Sequence, residues 1–252
     1  GSFGKAYLIV AKETYTMTED GQQACVGQEY SRWSFDLETG EMVELMTDTD
    51  GILPYMYGVW EDIAVYQTVK TVEGAPEFEE WIMQQPEGTT SYQYGLQYYK
   101  YRVYSKNLKT GEEKTIVDES ENFVWTADPH MSWGQYVVYQ IDRSVYVYDM
   151  ETQTSKKLFT HEPGWDFYNY MIQDGHVMVI GGTEDTCRAW AIDIMDGSVV
   201  ELDTYGENVV AFSAHYECNG YFVGLLHASN NADQYYISKE DYYRSNYDAA
   251  FR

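Results

Sequence analysis

Tyr146-Val147-Tyr148-Asp149-Met150-Glu151-Thr152-Gln153 and Trp190-Ala191-Ile192-Asp193-Ile194-Met195-Asp196-Gly197 share one pattern: an alternating apolar run, an acidic residue, then a short polar turn. The same pattern stands at Trp33-Ser34-Phe35-Asp36-Leu37-Glu38-Thr39-Gly40 and, with Asn107 in the acidic place, at Tyr104-Ser105-Lys106-Asn107-Leu108-Lys109-Thr110-Gly111. Alternation puts apolar side chains on one face of a strand, and the glycine supplies the positive φ that a hairpin turn needs. A second arm follows each turn, at Met42–Leu45, Lys114–Val117, Lys156–Phe159 and Val199–Leu202. Positions 107, 149 and 193 are 42 and 44 residues apart, the length of one four-stranded propeller blade. The step from 36 to 107 is one period plus an insertion.

A second recurring turn joins the two inner strands of each repeat. It appears at Trp60-Glu61-Asp62-Ile63, Trp133-Gly134-Gln135-Tyr136, Gln173-Asp174-Gly175-His176 and Cys218-Asn219-Gly220-Tyr221. The apolar runs after these turns predict strands covered on both faces. The segments before them, Ile52–Trp60, Phe123–Trp133, Trp165–Ile172 and Val209–Glu217, are expected to be the innermost strands. The fold class is therefore all-β: a β-propeller of about five four-stranded antiparallel blades, some incomplete. Its predicted core includes Val137, Tyr139, Val145, Val147, Val177, Val179, Ala189 and Ile192.

The ends read differently from the middle. Gly4–Val10 resembles the second strand of a blade, which suggests incomplete blades or a fragment of a longer six- or seven-bladed chain. At the other end Ser238 with Asp241 forms a capping signal, and Tyr243, Tyr247 and Phe251 share one helical face, so a short C-terminal helix is expected. Residues 1–252 read as one domain. The segment 72–91 is an insertion in the second blade, with two turns of helix expected over Glu77–Gln85 before Pro86.

Charge excludes several partners. With 16 Lys and Arg against 41 Asp and Glu, the net charge of −25 repels nucleic acid and anionic membrane surfaces. No apolar run is long enough to span a membrane. Cys25, Cys187 and Cys218 have no metal-like spacing; each reads as a buried free thiol, with a 187–218 bridge the one conceivable disulfide. No phosphate loop, zinc motif or nucleophile elbow is present, so neither a cofactor nor a metal is expected. Asp48-Thr49-Asp50-Gly51 carries a fragment of a calcium loop and reads better as an acidic turn.

One constellation lies on the expected innermost strands: Asp128, His130 and Trp133, then Trp165, Asp166, Tyr168 and Asn169, then His215 and Glu217. Strands around a channel can bring such residues onto one ligand. Carboxylates from separate blades are also what a glycosidase requires. The 26 tyrosines suit both inter-blade packing and sugar stacking.

The blade pattern, with Tyr-Val-Tyr-Asp-Met-Glu-Thr at 146–152 and Trp-Ala-Ile-Asp-Ile-Met-Asp-Gly at 190–197, resembles the propellers of the Tol-Pal periplasmic protein and related bacterial surface lipoproteins. That resemblance implies an extracytoplasmic address at the cell surface or envelope, lipid attachment upstream, and binding of a protein or glycan. The expected function is a non-catalytic binding module using one channel face. The alternatives are a glycoside hydrolase with channel carboxylates, and a structural module docking to upstream blades.

Overall fold

The computed structural model describes residues 4–18, 20–47, 53–120, 132–162, 166–183, 186–205, 209–227 and 233–252. Over 166–171 it describes the backbone alone. Asp128, His130, Trp165 and the 48–51 turn lie outside the described residues. The chain divides into two compact units, 1–124 with 150–153, and 125–149 with 154–252.

Nearly every element is a strand, and the strands follow the sequence repeat in antiparallel sheets, the blades of an all-β propeller. Blade 1 contains β1 (Lys5–Met17), β2 (Gln23–Asp36) and β3 (Met42–Thr47), in that spatial order. Blade 2 contains β4 (Tyr55–Trp60), β5 (Ile63–Thr71), β6 (Tyr99–Asn107) and β7 (Glu113–Ser120). Between β5 and β6 the 72–91 segment forms α1 (Phe78–Ile82) and leads into α2 (Ser91–Tyr98). Blade 3 contains β8 (Ser132–Trp133), β9 (Tyr136–Ile141), β10 (Ser144–Asp149) and β11 (Thr154–Thr160). Blade 4 contains β12 (Asp166–Gln173), β13 (His176–Thr183), β14 (Thr186–Asp193) and β15 (Val199–Leu202). A two-stranded pair, β16 (Thr204–Tyr205) and β17 (Val209–Val210), precedes blade 5, with β18 (Phe212–Cys218), β19 (Tyr221–Leu226) and β20 (Gln234–Ser238).

The recurring turn has a direct cause. Asp36 Oδ1 accepts hydrogen bonds from the backbone N–H of Glu38 and Thr39 at 2.9 and 2.8 Å. Asn107 Oδ1 does the same for Lys109 and Thr110, and Asp193 Oδ1 for Met195 and Asp196. Each side chain thus satisfies donors that the tight turn takes out of the ladder. Gly40, Gly111 and Gly197 then take φ of 73°, 76° and 79°.

Packing inside each unit follows strand alternation. On β13, Val177 and Val179 join Val138, Val145 and Val147 of blade 3, while Met178 joins Phe212, Ala214 and Phe222 of blade 5. On β14, Trp190 and Ile192 face blade 3, and Ala189 and Ala191 face blade 5. All eight expected core residues are buried. In the first unit Tyr7 and Met46 of blade 1 pack against Val59, Ala64, Tyr66 and Tyr104 of blade 2.

The C-terminal helix is shorter than its sequence pattern suggests. α3 (Lys239–Tyr243) starts at Ser238, whose Oγ accepts from Asp241 N–H at 3.1 Å. Ser245 takes φ of 54°, which ends the helix, and Phe251 instead exchanges two backbone hydrogen bonds with Tyr236 at 2.7 and 2.9 Å. So the chain returns to the outer edge of blade 5 as a single bridge. The conceivable 187–218 disulfide is absent: all three cysteines are free, and none has the burial expected of it, Cys25 and Cys218 being exposed and Cys187 half-buried. Cys187 flanks the β13–β14 turn and Cys218 the β18–β19 turn, at opposite ends of their blades, because Lys239 joins the Cys218 end of blade 5 to Asp174 at the far end of β13 from Thr183.

Candidate functional site

The innermost strands of blades 3, 4 and 5 end at the inner turns, and there the described structure forms a cleft of about 500 Å³. It is lined by Trp133, Ile172, Gln173, Asp174, Ala214, His215, Tyr216 and Glu217. Trp133 is 43% exposed. Its indole leans on Gly175, where a Cβ would approach the ring to 3.3 Å, and stacks on Tyr136 with centroids 6.1 Å apart. These contacts hold the partly exposed indole in place.

The innermost strands of blades 4 and 5 are bulged. The β18–β19 register jumps between Ala214 and Tyr216, leaving His215 as the extra residue. The β12–β13 register jumps between Phe167 and Asn169, leaving Tyr168. A bulge turns local side chains away from strict alternation, so neighbouring residues can face one ligand. That explains why Ala214, His215, Tyr216 and Glu217 all line the cleft despite being consecutive.

The polar groups are acceptors. Gln173 Oε1 is buried and has no hydrogen-bond partner among the described residues. Such an acceptor costs about 1–3 kcal/mol until a donor reaches it. Asp174 and Glu217 both bind Lys239 of α3, at 2.5 and 2.7 Å from its Nζ. Burial opposes the charge on Lys239, but the bonds to Asp174 and then Glu217 outweigh it and raise the pKa. Tyr243 adds its hydroxyl to Asp174 Oδ2 at 3.3 Å and to His176 Nδ1 at 3.1 Å. Helix α3 therefore fixes the acidic wall of the cleft across two blades.

Of the residues expected from the sequence, Trp133, His215 and Glu217 meet in this cleft. Asp166 begins β12, seven residues from Gln173, or roughly 20 Å along the strand. Its backbone stands at the opposite end of the innermost strand from Gln173, which lines the cleft. Tyr168 and Asn169 lie between those ends. Gln173 and Asp174 were visible only as turn residues, and Lys239 only as part of a helix cap. Among the described residues no cluster of His, Cys, Asp and Glu could hold a metal ion.

Comparison of sequences gave no matching family and no matching curated protein. Solved structures do match in fold. An oligogalacturonate lyase in complex with manganese aligns at TM-score 0.50 and 13% identity, over 85% of this chain and 60% of that one. An acylaminoacyl peptidase of Pyrococcus horikoshii aligns at TM-score 0.51 and 14% identity, over 93% of this chain and 35% of that one. TolB from Acinetobacter baumannii aligns at TM-score 0.40 and 10% identity, over 93% of this chain and 56% of that one. The chain thus spans 60% of the lyase and about a third of the peptidase. At these identities the likeness concerns fold alone. No helix among the described residues is long and apolar enough to cross a membrane.

Proposed function

We propose that this chain is a non-catalytic, extracytoplasmic binding module that recognises a neutral glycan through the inner-turn cleft of blades 3–5. The observation that carries this reading is the pairing of the braced, exposed Trp133 ring with the acceptors Asp174 and Glu217 on the cleft wall. A sugar ring offers an apolar face for stacking and hydroxyl donors around its rim. A cleft of about 500 Å³ has room for one to a few such units. The net charge of −25 disfavours anionic sugars.

The hydrolase alternative is less well supported. Asp174 and Glu217 are close enough to share one ammonium, but Lys239 Nζ occupies the space between them. A glycosidic oxygen and anomeric carbon would need that same space.

The test is a glycan array followed by calorimetric titration with the best neutral oligosaccharide. Trp133→Ala is expected to weaken binding about tenfold, in line with loss of one aromatic anchor. Glu217→Gln is expected to weaken it less and to leave the fold intact. Hydrolysis of any array glycan, lost in Glu217→Gln, would overturn the reading, and so would binding that Trp133→Ala leaves unchanged.

A further inference from the structure

We infer that the cleft takes a linear chain of several sugar units rather than a single sugar, laid from blade 3 across blade 4 to blade 5, with Tyr216 as a second stacking platform apart from Trp133. The inference rests on the glycan reading above and adds to it the length of the ligand and the residue that measures that length. Two large aromatic rings line the cleft and stay open to solvent: Trp133 is 43% exposed and Tyr216 is 48% exposed. Both are braced. Trp133 leans on Gly175 and stacks on Tyr136, and the Tyr216 hydroxyl donates to Gln234 Oε1 on β20 at 2.6 Å. A ring already held in place loses little freedom when a ligand settles on it.

The fold sets these rings apart. On β13, Val177 and Val179 pack toward blade 3 while Met178 packs toward blade 5, so blade 4 stands between the two. Sheets stacked in this way lie about 10 Å apart. Trp133 belongs to β8 of blade 3 and Tyr216 to β18 of blade 5, and Ile172, Gln173 and Asp174 of blade 4 line the cleft between them. The register carries Tyr216 further out. Glu217 pairs with Phe222, a member of the core shared with blade 4, and Glu217 accordingly reaches Lys239 beside Asp174. Tyr216 pairs with Val223 and takes the other face of the strand, at the rim of the cleft away from Trp133. One sugar ring does not reach both platforms, whereas a chain does.

Between the platforms the cleft offers hydrogen bonds. Asp174 accepts from Lys239 and from the Tyr243 hydroxyl, and Glu217 accepts from Lys239. Ionised carboxylates have about four lone-pair sites each, so both keep capacity for the hydroxyls of a middle sugar unit. The flanking units then stack on Trp133 and Tyr216. Two contacts joined through one ligand reinforce each other, since binding at the first raises the effective concentration at the second.

The test titrates the full chain by calorimetry with cello-, malto- and xylo-oligosaccharides of one to six units. In a series that binds, affinity is expected to rise about a hundredfold from the single sugar to the length that covers both rings, then to level off. Tyr216→Ala is expected to weaken the six-unit ligand about tenfold and to leave the single sugar unchanged, with circular dichroism as in the parent chain. Tyr216→Phe keeps the ring and removes only the bond to Gln234, so most of the affinity for the long ligand should remain. Trp133→Ala should weaken ligands of every length. If no series binds, the glycan reading falls and this inference falls with it. If a series binds without dependence on length, or if Tyr216→Ala changes neither length or both equally, this inference alone is overturned.

Discussion

Gly224 shows how much one residue carries here. It sits on β19 opposite Ala214, where the bulge of β18 brings the chains close, and a Cβ would lie 1.9 Å from Ser213 C=O. Relief requires the bulge itself to move. Gly224→Ala is therefore expected to cost about 1–3 kcal/mol, a fall in melting temperature on the order of 5 °C. Because His215 is the bulged residue, glycan affinity should fall with it. A variant with unchanged melting and affinity would show that the bulge is not held this way. Residues of this kind are partly legible. Asp36, Asn107 and Asp193 were readable because a turn is local in sequence and one side chain satisfies it. Lys239 was not, since its partners Asp174 and Glu217 are brought to it only by the stacking of blades.

At the scale of elements, strands were legible and helices less so. The apolar runs after the inner turns form the strands of the β9–β10 and β13–β14 ladders, because two-sided burial leaves a continuous apolar run. In the insertion, α1 falls within the expected helical span, and α2 lies beyond it. Its signal was present: Thr90 and Gln93 have capping-box spacing, and Thr90 N–H and hydroxyl both donate to Gln93 Oε1. Gly95 and the aromatic density from Tyr92 to Tyr101 masked it, since tyrosine runs favour strands. The two helices hold a small core of their own, with Trp81 packed edge-on against Tyr94 and Tyr98 at 5.3 and 6.4 Å, and Tyr94 hydroxyl donating to Pro76 C=O at 2.6 Å. Trp81→Ala should remove about 3–5 kcal/mol from that core. The expected result is rapid proteolysis within 72–98 with the β-sheet circular dichroism retained. Cooperative loss of the whole signal would mean that the insertion is integral to the blades rather than carried by them.

At the scale of the whole molecule, tyrosine chemistry sets the alkaline limit of stability. Tyr66 is fully buried, stacks on Tyr104 at 5.7 Å, and its hydroxyl has no hydrogen-bond partner among the described residues. Burial, then the neighbouring Tyr104, pushes its pKa up to about 12. Burial also raises Tyr104, Tyr139, Tyr242, Tyr243 and Tyr247 above the ordinary value of 10. Above pH 10 the unfolded chain gives up these phenol protons while the folded chain keeps them. The folded state then binds more protons, so stability falls as pH rises from the unfolded value toward the folded one. Each proton that the folded chain keeps and the unfolded chain loses costs about 1.4 kcal/mol per pH unit, against a typical stability of about 5–15 kcal/mol. Phenolate absorbance at 295 nm and far-ultraviolet circular dichroism are thus expected to change together between about pH 10.5 and 11.5. Tyr66→Phe keeps the stacked ring and removes an unsatisfied hydroxyl, so it should add about 1–3 kcal/mol and move that midpoint upward. Full ionisation of the tyrosines with the sheet signal intact would show instead that these rings titrate in the folded state, and that their burial is not what limits the protein at high pH.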